Sequence, residues 1–219
     1  IHEAVKSVLA QTLRPHEIII AIDHNKQLYQ KLVEIYRDSM GIWRNSINLN
    51  QSPVSQSPVP IVLVLNEGAQ GVSETRSLGI RRADSKFIAC MDDDAIANKE
   101  WLEKLIEPLQ NPGVMVVGGK VILNWLDGKR PRWFPEELDW IIGGTYKGLP
   151  LQGKEVRNVS SCNMASTSDT FKAVNYFNLN IGSVGGKRRG AEEAEFCLRL
   201  KQKIPQSIIW YEAKAIVHH

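Results

Sequence analysis

A chain of 219 residues with 43% hydrophobic content can bury one sizeable core, so its composition indicates a single globular domain, residues 1–219. The formal net charge is only +3 and no basic stretch alternates with aromatic residues, which argues against a nucleic-acid-binding protein. Three widely separated cysteines indicate a reduced, cytosolic setting rather than a disulfide framework. No apolar run reaches the ~18 residues that a membrane-spanning helix needs.

The first half of the chain predicts helices and strands in alternation. Apolar spacing predicts helices over residues 1–13, from Leu28 to about Gly41, over 73–83 and over 98–109. Strands are predicted at 17–22, 61–65, 86–91 and 114–118, and the polar stretch 45–59 is expected to be a surface loop. This alternation predicts an α/β fold with a mostly parallel sheet that carries helices on both faces.

The second half is less regular. Residues 125–150 are rich in Trp, Gly and Pro, and their tryptophans either fill the core or present faces that stack on sugar rings. Strands are predicted at 156–160 and 207–211, and helices at 169–175 and 191–203. Residues 215–219 follow the last strand.

Polar side chains stand where three predicted strands end. They are Asp23, Asn66 and Asp92. In open parallel sheets, ligands bind beyond the carboxyl ends of the strands. We therefore expect these side chains to share one crevice.

Three consecutive aspartates, Asp92, Asp93 and Asp94, follow the strand 86–91. Like charges this close repel one another unless a cation lies among them. Mg²⁺ and Mn²⁺ prefer carboxylate oxygens and keep positions open for substrate phosphates. The alternative is an acidic, solvated turn. The preferred interpretation is a divalent metal that bridges to a phosphate-containing substrate.

A second acidic group, Glu192, Glu193 and Glu195, opens the predicted helix 191–203. Carboxylates in a first helical turn are stabilised by the helix dipole, so a purely structural role is one interpretation. A glutamate that points from this position into a cleft can also act as a general base. With a metal-bound phosphate nearby, base catalysis becomes the preferred interpretation.

Taken in order, these segments resemble the inverting family-two glycosyltransferases of GT-A fold. The likeness runs almost from end to end and rests on residues 7–12, 17–23, 66–68, 76–80, 91–95, 163–165, 190–195 and 211–219. A bacterial and archaeal subset is more similar still, through Asp-His-Asn at 23–25 and Trp-Phe-Pro-Glu-Glu at 133–137. The family usually opens with one more apolar strand. This chain starts after it, so we expect a truncated chain whose first strand is missing.

The resemblance implies a nucleotide-sugar site in the first half. It assigns Asp23 to the nucleotide base and Arg76 to the nucleotide and its phosphates, with Asn66 in the same site. The basic cluster 187–189 occupies the place where a loop of the family closes over the donor. On residue chemistry alone, that cluster either binds a diphosphate or a lipid head group or is a solvated loop.

The resemblance also implies a metal site around the aspartate run. Asp92 and Asp94 match the outer residues of the family's Asp-x-Asp motif, with Asp94 as the direct metal ligand and Asp92 nearer the ribose. Asp93, between them, is assigned to the nucleotide-sugar site. His219 falls where the family often places a histidine that reaches the metal or the diphosphate, and His218 is one residue away. The expected ion is Mg²⁺ or Mn²⁺.

The implied catalytic residues are Glu193, as the general base, and Glu192 beside it. The implied reaction is inverting, metal-assisted hexosyl transfer from a nucleotide-diphosphate sugar to a glycan or lipid-linked acceptor in cell-envelope polysaccharide biosynthesis. Residues 1–118 would bind the donor, and residues 119–219 would bind the acceptor and catalyse. We expect a cytoplasmic protein at the inner face of the plasma membrane, with any peripheral attachment coming from a partner, an interfacial surface or a segment outside this chain.

Two other functions stay open. A sugar nucleotidyltransferase would share the strand order and the metal dependence. A nucleotide- or glycan-binding module would keep the site without turnover. Donor hydrolysis in the presence of Mn²⁺ separates the two enzymes from the binding module.

Overall fold

The computed structural model describes residues 1–37, 59–125, 128–183 and 190–219. The end of the second predicted helix near Gly41, the predicted loop 45–59 except for its last residue, and the basic cluster 187–189 lie outside them. The chain forms two compact units. One contains residues 1–14, 86–176 and 191–219, and the other contains residues 15–85 and 177–190. The sequence resemblance divides the chain into a donor-binding half, residues 1–118, and an acceptor-binding half, residues 119–219. That division concerns ligand binding, which these compact units do not test, so it stays a prediction.

The elements alternate as expected along the first half of the chain. In chain order they are α1 (His2–Leu9), β1 (Ile18–Asp23), α2 (Lys26–Ile35), β2 (Ile61–Asn66), α3 (Val72–Arg82), β3 (Phe87–Met91), β4 (Ile96–Ala97), α4 (Trp101–Ile106), a 3₁₀ helix (Glu107–Gln110), β5 (Val114–Ile122), a second 3₁₀ helix (Glu136–Ile142), β6 (Lys154–Glu155), β7 (Asn163–Thr167), α5 (Ser168–Ala173), α6 (Glu192–Lys203) and β8 (Ile208–His218). None of the described helices is both long and apolar enough to cross a bilayer.

The unit of residues 15–85 and 177–190 contains a two-stranded parallel sheet. β1 and β2 pair in register, so that Asp23 at the end of β1 stands opposite Asn66 at the end of β2. Helix α2 begins where the Asn25 side chain accepts a hydrogen bond from the backbone N–H of Leu28, which satisfies one of the donors that a helix start leaves unpaired.

The other unit contains a six-stranded sheet in the order β3-β7-β5-β8-β4, with β6 also paired to β8. β5 and β8 are parallel, β7 is antiparallel to both β3 and β5, and β4 and β6 are antiparallel to β8. Consequently β3, β5 and β8 point the same way. Their carboxyl ends share one edge of the sheet, and β7 begins at that edge.

Helix α4 covers the core of this sheet. Trp101 and Leu105, one turn apart on its buried face, belong to one apolar cluster with Val117 of β5 and Val217 of β8. Leu105, Val117 and Val217 are wholly inaccessible to solvent. This packing holds the strands that end at the shared edge.

The strand pairing is mixed, whereas the sequence predicts a mostly parallel sheet. Parallel pairing holds for β1 with β2 and for β5 with β8. β7 instead runs antiparallel to both its neighbours. The chain enters it from residues 128–162, which contain only short elements and not the helical crossover that parallel neighbours need.

The prediction of a strand at residues 156–160 is wrong. The structure has the two-residue β6 before it and β7 after it, beginning at Asn163. β7 contains polar residues and has no continuous apolar run, so its hydrophobicity pattern does not indicate a strand. Its buried polar side chains form hydrogen bonds inside the fold. Ser166, which is fully buried, donates a hydrogen bond from its Oγ to the carbonyl of Met115.

Candidate active site

The aspartate run forms a tight turn between β3 and β4. The backbone N–H of Ala95 donates to the carbonyl of Asp92 at 3.2 Å, which closes the turn over four residues. Ala95 is completely buried and anchors the turn, whereas Asp92 is half-buried and Asp93 and Asp94 are exposed. The three carboxylates therefore lie at the shared sheet edge, as the sequence predicts.

Strand β8 brings a histidine to the same turn. Ile96 of β4 stands opposite His218 of β8, and His218 also stands opposite Ile122 of β5. The next residue, His219, donates its N–H to Ile122 O at 2.9 Å and accepts from Asn124 N at 2.7 Å. These bonds fix the backbone of His219 next to the aspartate turn.

Candidate ligand atoms of Asp92, Asp94 and His219 all lie within 4.8 Å of one another. His219 Nε2 is 3.1 Å from Asp94 Oδ1, and the His219 side chain is 23% exposed against 74% for Asp94. Gly143 packs against the imidazole, since a Cβ placed there would lie 3.4 Å from His219 Cε1. Gly143 also has a φ of +91°, which favours glycine at this position.

This donor set fits a small divalent cation. Two carboxylate oxygens and one imidazole nitrogen suit Mn²⁺ or Mg²⁺ and leave coordination positions for a ligand. Asp93 is in the same turn, and it is not part of the three-residue group. His218 lies outside the group too, because successive side chains of a strand point to opposite faces.

The first turn of α6 lies at the same edge of the sheet. Glu192 is 6% exposed, and its Oε1 accepts a hydrogen bond from Ser161 Oγ at 3.3 Å. Ser161 is two residues before Asn163, and Asn163 pairs with Met91, the residue that precedes Asp92. Glu192, one of the predicted catalytic glutamates, is therefore connected to the aspartate turn through residues 161–163, which lead into β7.

The glutamates of this turn have different environments. Glu195 makes a two-pronged ion pair with Arg199, with both N–O distances 2.7 Å, which indicates a structural role. Glu193 is half-buried. Burial raises the pKa of the Cys197 thiol to about 12, and the negative charge of Glu193, one helical turn away, adds to this rise.

The predicted nucleotide site lies in the other unit, where Asp23 is held on both sides. Its Oδ1 accepts from Asn66 Nδ2 at 3.0 Å, and its Oδ2 accepts from Gly71 N at 3.1 Å. The side chain of Asp23 is still 32% exposed. Asn66 is 1% exposed, and its Oδ1 also accepts from Gly68 N at 2.9 Å. Asn66 thus holds Asp23 and the loop that follows β2.

Two further residues belong to this second site. Arg76, on α3, is half-buried with its guanidinium 5.6 Å from the centroid of the Phe177 ring, a cation–π distance. His24, to which sequence reasoning assigned no role, has its Nδ1 2.9 Å from Asp23 Oδ1. The contacts of Asp23, Asn66 and Arg76 with a nucleotide stay predictions, as does one crevice shared with Asp92.

Sequence reasoning also assigned no role to Asn163, which lies at the sheet edge of the candidate metal site. Asn163 is fully buried, and its Oδ1 accepts from Trp101 Nε1 at 2.8 Å. The available signal was an amide side chain in a run of small and apolar residues, 162–165, since a buried amide needs several partners.

Comparison with known proteins identifies the family. The model described as Glycosyl transferase family 2 matches residues 1–173. The glucosyl-dolichyl phosphate glucuronosyltransferase of Haloferax volcanii is 31% identical over 218 residues, which cover 99% of this chain and 63% of that protein. The succinoglycan biosynthesis protein ExoM of Rhizobium meliloti is 27% identical over 119 residues, which cover 53% of this chain and 36% of that protein. The chain thus spans less than two thirds of either relative.

Solved structures identify the fold. GalNAc-T7, crystallised with UDP, GalNAc and Mn²⁺, superposes with a TM-score of 0.68 at 15% identity, over 99% of this chain and 40% of that chain. TarS of S. aureus superposes with a TM-score of 0.58 at 15% identity, over 97% of this chain and 34% of that chain. Likeness at this level of identity concerns the fold alone. The chain belongs to glycosyl transferase family 2 and has the mixed α/β GT-A fold of these enzymes.

Proposed function

We propose that the protein is an inverting glycosyltransferase that moves a hexose from a nucleotide-diphosphate sugar to a lipid-linked acceptor with the help of a divalent metal. The observation that carries the proposal is the convergence of Asp92, Asp94 and His219 at one sheet edge, in a chain of glycosyl transferase family 2. Glu192 and Glu193 begin their helix at that edge.

Asp92, Asp94 and His219 would hold Mn²⁺ or Mg²⁺. When bound, the ion neutralises the charge that develops on the leaving nucleoside diphosphate. The presence of Mn²⁺ together with UDP in the GalNAc-T7 structure supports this pairing of metal and nucleotide. Asp23, which is partly exposed, would accept hydrogen bonds from the base, and Arg76 would contact the phosphates.

Glu193 would act as the general base. Inverting transfer is a single displacement at the anomeric carbon, so the acceptor hydroxyl must lose its proton as the bond to the leaving group breaks. A carboxylate is suited to accept that proton. Glu192, which is buried against Ser161, would keep the first turn of α6 in place so that Glu193 is held ready.

A lipid-linked acceptor is favoured over a soluble polysaccharide by an apolar surface beside the metal ligands. The second 3₁₀ helix exposes 61% of Trp140, 54% of Ile141 and 40% of Ile142. The next residue, Gly143, packs against the His219 ring. Exposed Trp and aliphatic side chains suit the interfacial layer of a bilayer. We place the activity at the cytoplasmic face of the plasma membrane, with peripheral attachment through this surface.

Family membership favours a glycosyltransferase over a sugar nucleotidyltransferase, the first of the two alternative functions. The second alternative, a binding module without turnover, requires an assay. The test incubates the protein with UDP-, GDP- and dTDP-sugars and a polyprenyl-phosphate-linked glycan, with Mn²⁺ or with excess chelator. Release of the nucleoside diphosphate is measured, and the anomeric configuration of the product is determined by NMR.

The expected result is metal-dependent release from one nucleotide class, increased by the lipid-linked acceptor, with inversion at the anomeric carbon. Retention of configuration, or release that is unchanged by chelator, would contradict the mechanism. Tight nucleotide binding with no release would instead identify a binding module.

A further inference from the structure

The position of His219 depends on a bulge in β8. Glu212 stands opposite Gly119 of β5, and Ile216 stands opposite the very next residue, Lys120. Residues 213–215 are therefore extra on β8. Had the register continued past Glu212 without interruption, Ala215 would stand opposite Ile122, where the structure has His218. A shift by an odd number of residues also turns every later side chain to the other face of the strand. The bulge thus delivers His219 to the aspartate turn.

One buried side chain holds this bulge. Asn163 Nδ2 donates to Ala215 O and to Lys120 O, each at 2.9 Å, at the point where the ladder between β5 and β8 is interrupted. Its Oδ1 accepts from Trp101 Nε1 at 2.8 Å. An indole N–H can only donate and a backbone carbonyl can only accept, so these three partners allow one orientation of the amide.

Gly119 provides the space for the amide. A Cβ at this position would overlap the carbonyl oxygen of Ala215 and the amide group of Asn163. The absence of a side chain at Gly119 therefore leaves room for the amide of Asn163 next to the bulge. The hydrogen bonds of Asn163 replace those that the interrupted ladder lacks.

The backbone of Asn163 pairs with β3, the strand that leads into the aspartate turn. Asn163 pairs with Met91, the last residue of β3, and Asp92 follows directly. The main chain of Asn163 therefore contacts β3, which leads into the aspartate turn. Its side chain contacts the bulge of β8, which places His219.

We propose that Asn163 is a positioning residue for the metal site: its amide holds the three-residue bulge of β8 and so sets His219 beside Asp94. This inference rests on the proposed function, because it assigns a purpose to the geometry of a metal site. The amide also has a stabilising role, so the test must separate loss of stability from loss of positioning.

The experiment compares Asn163→Ala with Ser166→Ala. Ser166 lies on the same strand, is equally buried and also donates to a backbone carbonyl, that of Met115, away from the bulge. Both variants should lower the unfolding temperature. Two further readouts are measured on folded protein: the dissociation constant for Mn²⁺ alone, by electron paramagnetic resonance, and hydrogen exchange of the backbone amides of Asn98, Asn124 and His219. These amides bond to Ile216, His219 and Ile122 respectively, after the bulge.

We expect Asn163→Ala to weaken Mn²⁺ binding about 10–100-fold, the usual effect of removing a group that orients a metal ligand, and to accelerate exchange of the three amides. Ser166→Ala should change neither readout. If Asn163→Ala leaves the Mn²⁺ affinity and the exchange rates at their wild-type values, or if Ser166→Ala changes them equally, the inference is overturned.

A second variant decides the matter if Asn163→Ala does not fold. Trp101→Phe keeps an aromatic ring in the core and removes the donor that orients the amide together with part of the ring volume, so we expect smaller shifts in the same two readouts. Unchanged readouts in that variant would overturn the inference. A wild-type protein that does not bind Mn²⁺ contradicts the proposed function instead, and amide exchange alone then judges whether Asn163 holds the bulge.

Discussion

His219 Nε2 lies 3.1 Å from Asp94 Oδ1, although the two residues are far apart in the sequence, in separate segments of one unit of the chain. The antiparallel pair of β4 and β8 makes this contact, because it begins immediately after the turn that contains Asp94 and ends immediately before His219. A carboxylate and an imidazole held in this way can share a metal ion without a large rearrangement.

Removing either proposed metal ligand, Asp94 or His219, should abolish tight Mn²⁺ binding. We expect Asp94→Asn and His219→Ala each to weaken binding more than about 100-fold, because even residues that only orient a ligand cost about 10–100-fold. Isothermal titration with MnCl₂ measures the effect. Two controls are His218→Ala and Asp169→Asn. The Asp169 side chain is 90% exposed and lies outside the site. Both variants should bind Mn²⁺ as the wild type does. Equal losses in His218→Ala and His219→Ala would contradict the assignment of the ligand.

Glu193→Gln should lower kcat by about 10²–10⁴-fold, the usual contribution of a general base. Binding of the nucleotide with Mn²⁺ should not change, because the amide keeps the shape of the carboxylate. Turnover and titration calorimetry measure the two effects. Glu195→Gln is the matched control in the same helical turn. It breaks the ion pair with Arg199 and should lower the unfolding temperature while turnover persists.

The ion pair between Arg130 and Asp139 should stabilise the segment that contains the apolar surface. Asp139 is 6% exposed, and its two oxygens each accept from Arg130 at 2.6 Å. We expect Asp139→Asn to reduce the free energy of unfolding by about 1.5–3 kcal/mol, the range for hydrogen bonds to charged groups. Glu137→Gln breaks the exposed pair with Lys147 and should cost about 0–1 kcal/mol. Urea unfolding monitored by tryptophan fluorescence measures both, and equal costs would contradict this interpretation.

The Cys197 thiol should make stability depend on pH in the alkaline range. Burial, with a smaller effect of Glu193, raises its pKa to about 12, whereas the thiol of an unfolded chain has a pKa of about 8.5. Above the lower value the unfolded chain releases a proton that the folded chain keeps. Stability therefore falls as pH rises between the two values, by up to about 1.4 kcal/mol per unit.

Urea unfolding of the wild type and of Cys197→Ala between pH 8 and 10 measures this dependence. The comparison between the two proteins is necessary because burial also raises the pKa of Tyr211, which acts in the same direction. We expect the variant to have the shallower decline. The same decline in both proteins would show that the thiol does not titrate as assigned.

The apolar surface on the second 3₁₀ helix should matter for the lipid-linked acceptor only. We expect Ile141→Ser to raise the KM for a polyprenyl-linked acceptor and to weaken binding to vesicles, while the affinity for the donor stays the same. Ile35→Ser is a matched control, since Ile35 is 52% exposed and Ile141 is 54% exposed. A vesicle affinity that falls equally in both variants would refute a specific membrane surface.

Much of the fold and part of the candidate site could be predicted from the sequence, because the relevant signals are local. Apolar spacing predicted α1 to α4 and β1 to β3, although the observed bounds differ by several residues in places. The position of the aspartate run directly after an apolar strand predicted its place at the end of β3. The ordered motifs indicated the family, which the comparisons confirm.

Tertiary structure alone decided the remaining features, because they depend on pairing between distant segments. No local pattern predicts that β7 runs antiparallel between β3 and β5, or that three extra residues in β8 carry His219 to Asp94 and not His218. The hydrogen bonds from Asn163 to the carbonyls of Lys120 and Ala215 also join segments that are distant in the sequence. Strand register and the partners of a buried amide are chosen when separate parts of the chain pack together, so the sequence determined which groups are present and the fold determined which of them meet.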